Sequence, residues 1–264
     1  MMASGGFFRK FRIAILLFIL FIVAGDAYLT KMRSTDWDHP LNVVVYPING
    51  DGSSVSSEYI NTLTADDFAA IERFFTEEAQ HYKLPLTKPV EVRLAPVLDE
   101  KPPRAPQDKT PLNVAWWSLK MRWWSSTLES DYQGPPPNIK MYVLYFDAET
   151  NSVVDHSLGL EKGLIGVVYG YADKNLTGAN NVVIAHEFLH TVGATDKYDL
   201  ASGQPTHPEG YAKPDKQPLF PQEYAEIMGG KIPVSHVESN MPHSLDECLI
   251  GPKSAQEINW IKPS

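Results

Sequence analysis

Residues 180–196 read NNVVIAHEFLHTVGATD. Val182, Ala185, Leu189 and Val192 recur at i, i+3, i+7 and i+10, the spacing of one helical face, and predict an amphipathic helix over 180–192 that Asn180 can cap. His186 and His190 lie off that face, one turn apart, so both imidazoles reach the same point in space and can share a zinc ion. Glu187 is too far round the helix to bind the same ion, but it is placed to take a proton from a metal-bound water. Gly193 suits a left-handed helix end. Beyond it the chain can turn back and bring the Asp196 carboxylate in as an oxygen ligand. Asp199, His207 and Glu226 are the alternatives for that third position.

Outward from this helix the chain alternates strands and helices. Leu41–Ile48, Val90–Val97, Ile139–Phe146 and Leu164–Tyr171 are apolar runs bounded by turn residues and read as buried strands. Thr64–Tyr82 reads as an amphipathic helix, with Thr64 and Asp67 spaced for a capping box and Phe68, Ile71, Phe74 and Phe75 on one face. Residues 102–137 form a Pro- and Trp-rich insertion. Within it Trp116, Trp117, Trp123 and Trp124 recur at a seven-residue spacing, which predicts one helical stripe packed on the domain. With Lys120 and Arg122 beside it, the same stripe suits a membrane-facing belt. Residues 195–221 read as a long loop and Ser254–Ile261 as a closing helix. The expected fold is α+β: a mixed twisted sheet, a helix carrying the site and a small C-terminal subdomain, all within residues 34–264.

His186 to Asp196 follows the pattern His-Glu-x-x-His-x-x-Gly-x-x-Asp, which resembles the metzincin clan of zinc peptidases in its aspartate-ligand variant. Glu226-Ile227-Met228-Gly229-Gly230 resembles the clan's methionine-containing turn, with Met228 in the methionine place. The resemblance implies zinc held by His186, His190 and Asp196, and peptide hydrolysis by a zinc-bound water that Glu187 activates. It also implies an edge strand that binds substrate in extended form, assigned here to Leu164–Tyr171. A tyrosine that donates to the developing oxyanion is a further feature of some clan members; Tyr198, Tyr211 and Tyr224 are the candidates.

The N-terminus bears on location. Arg9, Lys10 and Arg12 precede the apolar run Ile13–Ala24, and counting on to Thr30 gives 18 residues. Residues 1–12 then form a cytoplasmic n-region, and 13–30 a signal anchor or a cleaved signal peptide. The body lies outside the cytoplasm in either case, as a single-pass membrane protein or as a secreted or periplasmic one. Net charge is −9; Arg9, Lys10, Arg12, Lys31 and Arg33 against Asp26 give the first 33 residues +4, so the rest carries −13. An acidic body of that size argues against nucleic acid as a partner and against binding an anionic membrane through a basic patch. The single cysteine, Cys248, excludes an intrachain disulfide and reads as a buried filler. The expected partners are a peptide or protein substrate and, through the N-terminus, a membrane. A membrane-tethered binding or assembly protein that keeps the zincin fold without catalysis is the alternative.

Overall fold

Strands without a polar side need cover on both faces, and the sheet supplies it. In the computed structural model, which describes residues 11–13, 15, 17–18, 35–106, 108, 110–128, 131–151, 157–161 and 163–262, five segments form one mixed sheet. They are β1 (Leu41–Asn49), β2 (Val90–Leu94), β3 (Ile139–Phe146), β4 (Leu158–Leu160) and β5 (Ile165–Tyr171), in the order β2-β1-β3-β5-β4. All neighbouring pairs are parallel except β4 with β5. Side chains alternate between faces along each strand. Val43, Val45, Met141, Val143 and Val168 enter one core, while Val44, Tyr46, Tyr142, Leu144 and Val167 enter the other.

The first core is closed by α1 (Ser54–Asn61), α2 (Ala69–His81) and the helix that carries the histidines. Thr64 and Asp67 form the expected capping box, on a 3-10 turn that leads into α2. Phe75 of α2 meets Phe188 edge-on at 4.8 Å between ring centroids, which ties α2 to the histidine helix. The second core is closed by α3 (Pro111–Thr127), which starts on Pro111 with Thr110 as its cap.

The tryptophans of α3 do not form the single stripe expected of them. Residues at i and i+1 sit about 100° apart on a helix, so each adjacent pair divides between faces. Trp117 and Trp124 are buried at 7% and 8% exposure, whereas Trp116 and Trp123 stand at 60% and 72%.

The assignment of Leu164–Tyr171 as edge strand is also corrected. β5 pairs on both sides, and the edge is β4, antiparallel to it. Leu-Gly-Leu is too short and carries too little pattern to be read as a strand from sequence.

Past the histidine helix, α4 (Thr177–Thr191), the chain forms short paired segments whose buried residues join the first core. β6 (Ala225–Glu226) pairs with β9 (Cys248–Leu249), β7 (Ile232–Pro233) pairs with β8 (Ser239–Asn240), and α5 (Pro252–Glu257) closes the chain. The Trp37 indole donates to the Ile258 carbonyl at 2.7 Å, tying the start of the described body to its end. Cys248 is buried, as expected, and burial pushes its thiol up. The apolar run 13–30 lies almost wholly outside the described residues. Among those described, no helix is long and apolar enough to cross a membrane.

Candidate metal centre

The helix α4 begins earlier than its apolar spacing suggests. Asp173 caps a 3-10 turn, Lys174–Leu176, that runs straight into Thr177. Asn180 therefore lies inside the helix and does not cap it. Its side chain takes the Tyr171 N–H at 3.0 Å and donates to the Tyr171 carbonyl at 2.9 Å, fixing α4 against the end of β5. Val182, Ala185, Phe188, Leu189 and Val192 are buried in the first core. β4 crosses the opposite side so closely that only glycine fits at 159: a Cβ there would stand 2.4 Å from the Glu187 carbonyl oxygen and 2.5 Å from the His190 Cβ.

The helix ends as the sequence predicts. Gly193 adopts φ +108°, a conformation that costs an L side chain strain. Its N–H bonds the His190 carbonyl, and the Ala194 N–H bonds the Leu189 carbonyl, the paired closure of a Schellman cap. That closure places the Ala194 carbonyl 2.8 Å from His190 Nδ1. His186 Nδ1 lies 2.8 Å from the Ile227 carbonyl. With both Nδ1 atoms donating to backbone oxygen, both Nε2 lone pairs are left for a ligand.

Those Nε2 atoms and one carboxylate oxygen converge. His186 Nε2 and His190 Nε2 are 3.1 Å apart, and Asp196 Oδ1 is 3.2 Å from the first and 3.1 Å from the second. Ligand atoms about 2.0–2.1 Å from a tetrahedral zinc stand about 3.3 Å from one another, so this triangle fits such an ion with little adjustment. Two imidazoles and a carboxylate are a donor set that zinc takes. The charges agree with that fit. Burial alone would push the His186 imidazole down, but the hydrogen-bonded Asp196 carboxylate and the Glu187 charge outweigh it and lift it to about 9. Burial likewise works to raise Asp196, yet hydrogen bonds from both imidazoles hold it well below the usual carboxylate range. A pocket that attracts protons this strongly attracts a dication, which would bind with their release.

Glu187 lies outside the ligand triangle, as its place on the helix requires. The Gly159 N–H of β4 bonds its carboxylate, and burial, its largest influence, raises its pKa. Its Oε2 atom is buried without a hydrogen-bond partner, an orphaned acceptor of the kind a water or substrate atom satisfies. Of the candidate tyrosines the structure brings in Tyr198. Its ring stacks 6.5 Å from that of His186, its hydroxyl bonds Asp196, and burial followed by the Asp196 charge pushes it to about 12. Tyr211 packs against His207 and Phe220, and Tyr224 lies under the Lys213 ammonium. The alternative third ligands are engaged elsewhere. Asp199 accepts from Ser202, His207 Nε2 sits 3.2 Å from the Pro214 carbonyl, and Glu226 is fully buried.

Two supports of the site were not legible in the sequence. Lys197, flanked by Asp196 and Tyr198, is 3% exposed, and its ammonium bonds Glu257 Oε2 at 2.7 Å together with the Thr195 carbonyl and hydroxyl. Nothing in a loop rich in polar residues marks one lysine as buried. Glu226 accepts from the Gly229 N–H, the Gly251 N–H and the Ser254 hydroxyl, which holds the turn at 226–229 so that Ile227 presents its carbonyl to His186. Met228 in that turn is fully buried. Comparison with protein-family models gives no match, and neither does comparison with curated proteins.

Proposed function

We propose that this chain is a zinc-dependent peptidase, held outside the cytoplasm by its apolar N-terminus, with His186, His190 and Asp196 as ligands and Glu187 as general base. The observation that carries the reading is the pairing of a three-point donor triangle with the orphaned Glu187 Oε2 beside it. A purely structural zinc site has no use for a buried, unpaired carboxylate oxygen at that place.

Zinc in this site would supply Lewis acidity, polarising the scissile carbonyl and acidifying water. Glu187 accepts the proton of the attacking water at its free oxygen and delivers it to the leaving amine. The Gly159 N–H fixes the other end of the carboxylate, so the base is oriented before substrate arrives. Tyr198, whose hydroxyl bonds Asp196, would turn that hydrogen to the oxyanion that develops on the carbonyl. β4, as the edge strand above the helix, is the place for an extended peptide to add by backbone pairing. No covalent intermediate is required, which suits a chain whose only thiol is buried.

Metal content, measured by mass spectrometry on the purified protein and three variants, tests the ligand set. The expected result is one zinc per chain in wild type and Asp199→Ala, and little or none in His190→Ala and Asp196→Ala. Wild type that stays metal-free when zinc is supplied sinks the proposal. A peptide-library digest follows on the zinc-loaded protein. If the Glu187→Gln form retains full biological function with zinc bound, the non-catalytic zincin reading replaces the peptidase.

A further inference from the structure

We infer that the outer face of α3 is a membrane-docking surface that lies on an anionic lipid headgroup layer. The inference rests on the proposed N-terminal tether, and its own observations concern α3 alone.

α3 is apolar on two sides. Trp117, Met121 and Trp124 form the inner stripe in the second core. Leu112, Trp116, Leu119 and Trp123 follow the same i, i+4, i+7, i+11 rule on the outer side, at 83%, 60%, 50% and 72% exposure. A helix apolar all round belongs in a core or against lipid. The indoles divide in the same way. The Trp117 N–H donates to the Pro103 carbonyl and the Trp124 N–H to Glu100, whereas among the described residues the N–H groups of Trp116 and Trp123 have no protein partner. An exposed indole with a free donor is the side chain that collects at the water–membrane boundary, ring in the acyl region and N–H toward headgroups.

Charge indicates which lipid. α3 carries Lys120 and Arg122 and no acidic residue, in a body whose net charge is −13. The Lys120 ammonium stands 5.6 Å over the Trp116 ring. Lys120 and Arg104 both line a 330 Å³ cleft at the N-terminal half of α3, together with Asn113 and Trp116; beside it the Asp108 carboxylate is taken up by the Asn113 amide at 3.4 Å. Cations beside an aromatic stripe suit phosphate headgroups of anionic lipid.

Chain length would keep the domain near the bilayer. Thr35 is already buried in the domain. The chain from the end of the apolar run to that point spans at most about 35–40 Å if the run ends at Ala24, and about 17 Å if it ends at Thr30. A domain of this size is about 45 Å across, so such a tether is shorter than the domain is wide. Such a tether keeps the domain at the bilayer, and α3, across the sheet from the first-core end where Trp37 packs, offers the apolar and cationic face.

The test uses the full-length chain bound to vesicles of phosphatidylcholine and phosphatidylglycerol whose acyl chains are brominated at shallow positions. Bromine quenches tryptophans within the boundary layer. Quenching of wild type is expected to exceed that of Trp116→Phe/Trp123→Phe by about twofold or more. Leu119→Glu, which leaves the inner stripe intact, should show the same loss while unfolding at an unchanged temperature. Equal quenching in wild type and the double variant, with the chain still floating with the vesicles, overturns docking and leaves the tether standing. A chain that fails to float with vesicles overturns the tether and the docking together. Self-association that Leu119→Glu abolishes, without quenching in wild type, assigns the face to a second copy of the chain and overturns the lipid assignment.

Discussion

α3 and α4 pack on opposite faces of the same sheet, and their inward sides are built alike: a stripe of large apolar side chains at helical spacing. They differ on the outward side. On α4 the site residues are polar, and part of their hydrogen-bonding capacity is taken by neighbouring backbone: Ile227 and Ala194 take the imidazole Nδ1 atoms and the Gly159 N–H of β4 takes one Glu187 oxygen, while Glu187 Oε2 stays unpaired. On α3 the outward residues are again apolar, and among the described residues nothing covers them. The core-facing stripe of a helix tells how the domain holds together. What the helix is for lies on the other side.

The largest effect that would sharpen this contrast is Glu187→Gln. It keeps the shape and removes the proposed base, so zinc content should stay at wild-type level while kcat falls by about 10²–10⁴-fold. Zinc lost along with activity would move Glu187 from catalysis to ligation.

The next separates the two sides of α3. Trp117→Ala should cost about 3–5 kcal/mol in urea unfolding, because it opens a cavity in the second core. Trp123→Ala should fall within about 0.5 kcal/mol of wild type, because it removes no internal packing. Similar losses from both would mean that the outer stripe is covered within the domain, and the contrast would fail.

Lys197→Met probes how the polar side of α4 is supported. It leaves Glu257 without its buried partner and should destabilise by about 3 kcal/mol. Asp196 then loses its fixed neighbour, so zinc affinity should weaken more than in Asp199→Ala. Metal titration of both variants checks the order.

The smallest expected effect lies on α2. Burial, reinforced by the charges of Glu77 and Glu226 and opposed by the Ile250 N–H bond, raises Glu78 from 4.5 to about 7. The folded protein therefore keeps a proton on Glu78 up to about pH 7, where the unfolded chain has already lost it. A folded pKa above the unfolded one makes stability decline as pH rises between those values. Glu78→Gln should flatten that decline and stabilise the protein above neutral pH by about 2 kcal/mol. Thermal unfolding measured across that pH window reads it, and an unchanged slope would assign the pH dependence to other groups.

Legibility in the sequence followed the distance over which each pattern acts. β1, β3 and the capping box at Thr64 could be read because their patterns are local. Glu78 carried a readable signal too: it falls at i+7 from Ile71 on the apolar face of α2, a position that implies burial. β4 was missed because three residues hold no period, and its role as edge depends on β5 pairing across 158–167. A seven-residue repeat aligns Trp116 with Trp123 and Trp117 with Trp124 without saying which pair faces the sheet, so the burial of one pair alone is not legible in it.

The sequence by itself determined the helical half of the site. His186, Glu187 and His190 stand in fixed relation on any α-helix, and Gly193 ends that helix where the chain must turn. Tertiary structure alone decided the rest. Which acid closes the triangle, which tyrosine joins it and which carbonyl orients His186 depend on contacts between residues far apart in the chain, as with Ile227 and His186 or Glu257 and Lys197. A helix repeats its geometry from its own backbone hydrogen bonds, whereas a loop takes its geometry from whatever it packs against.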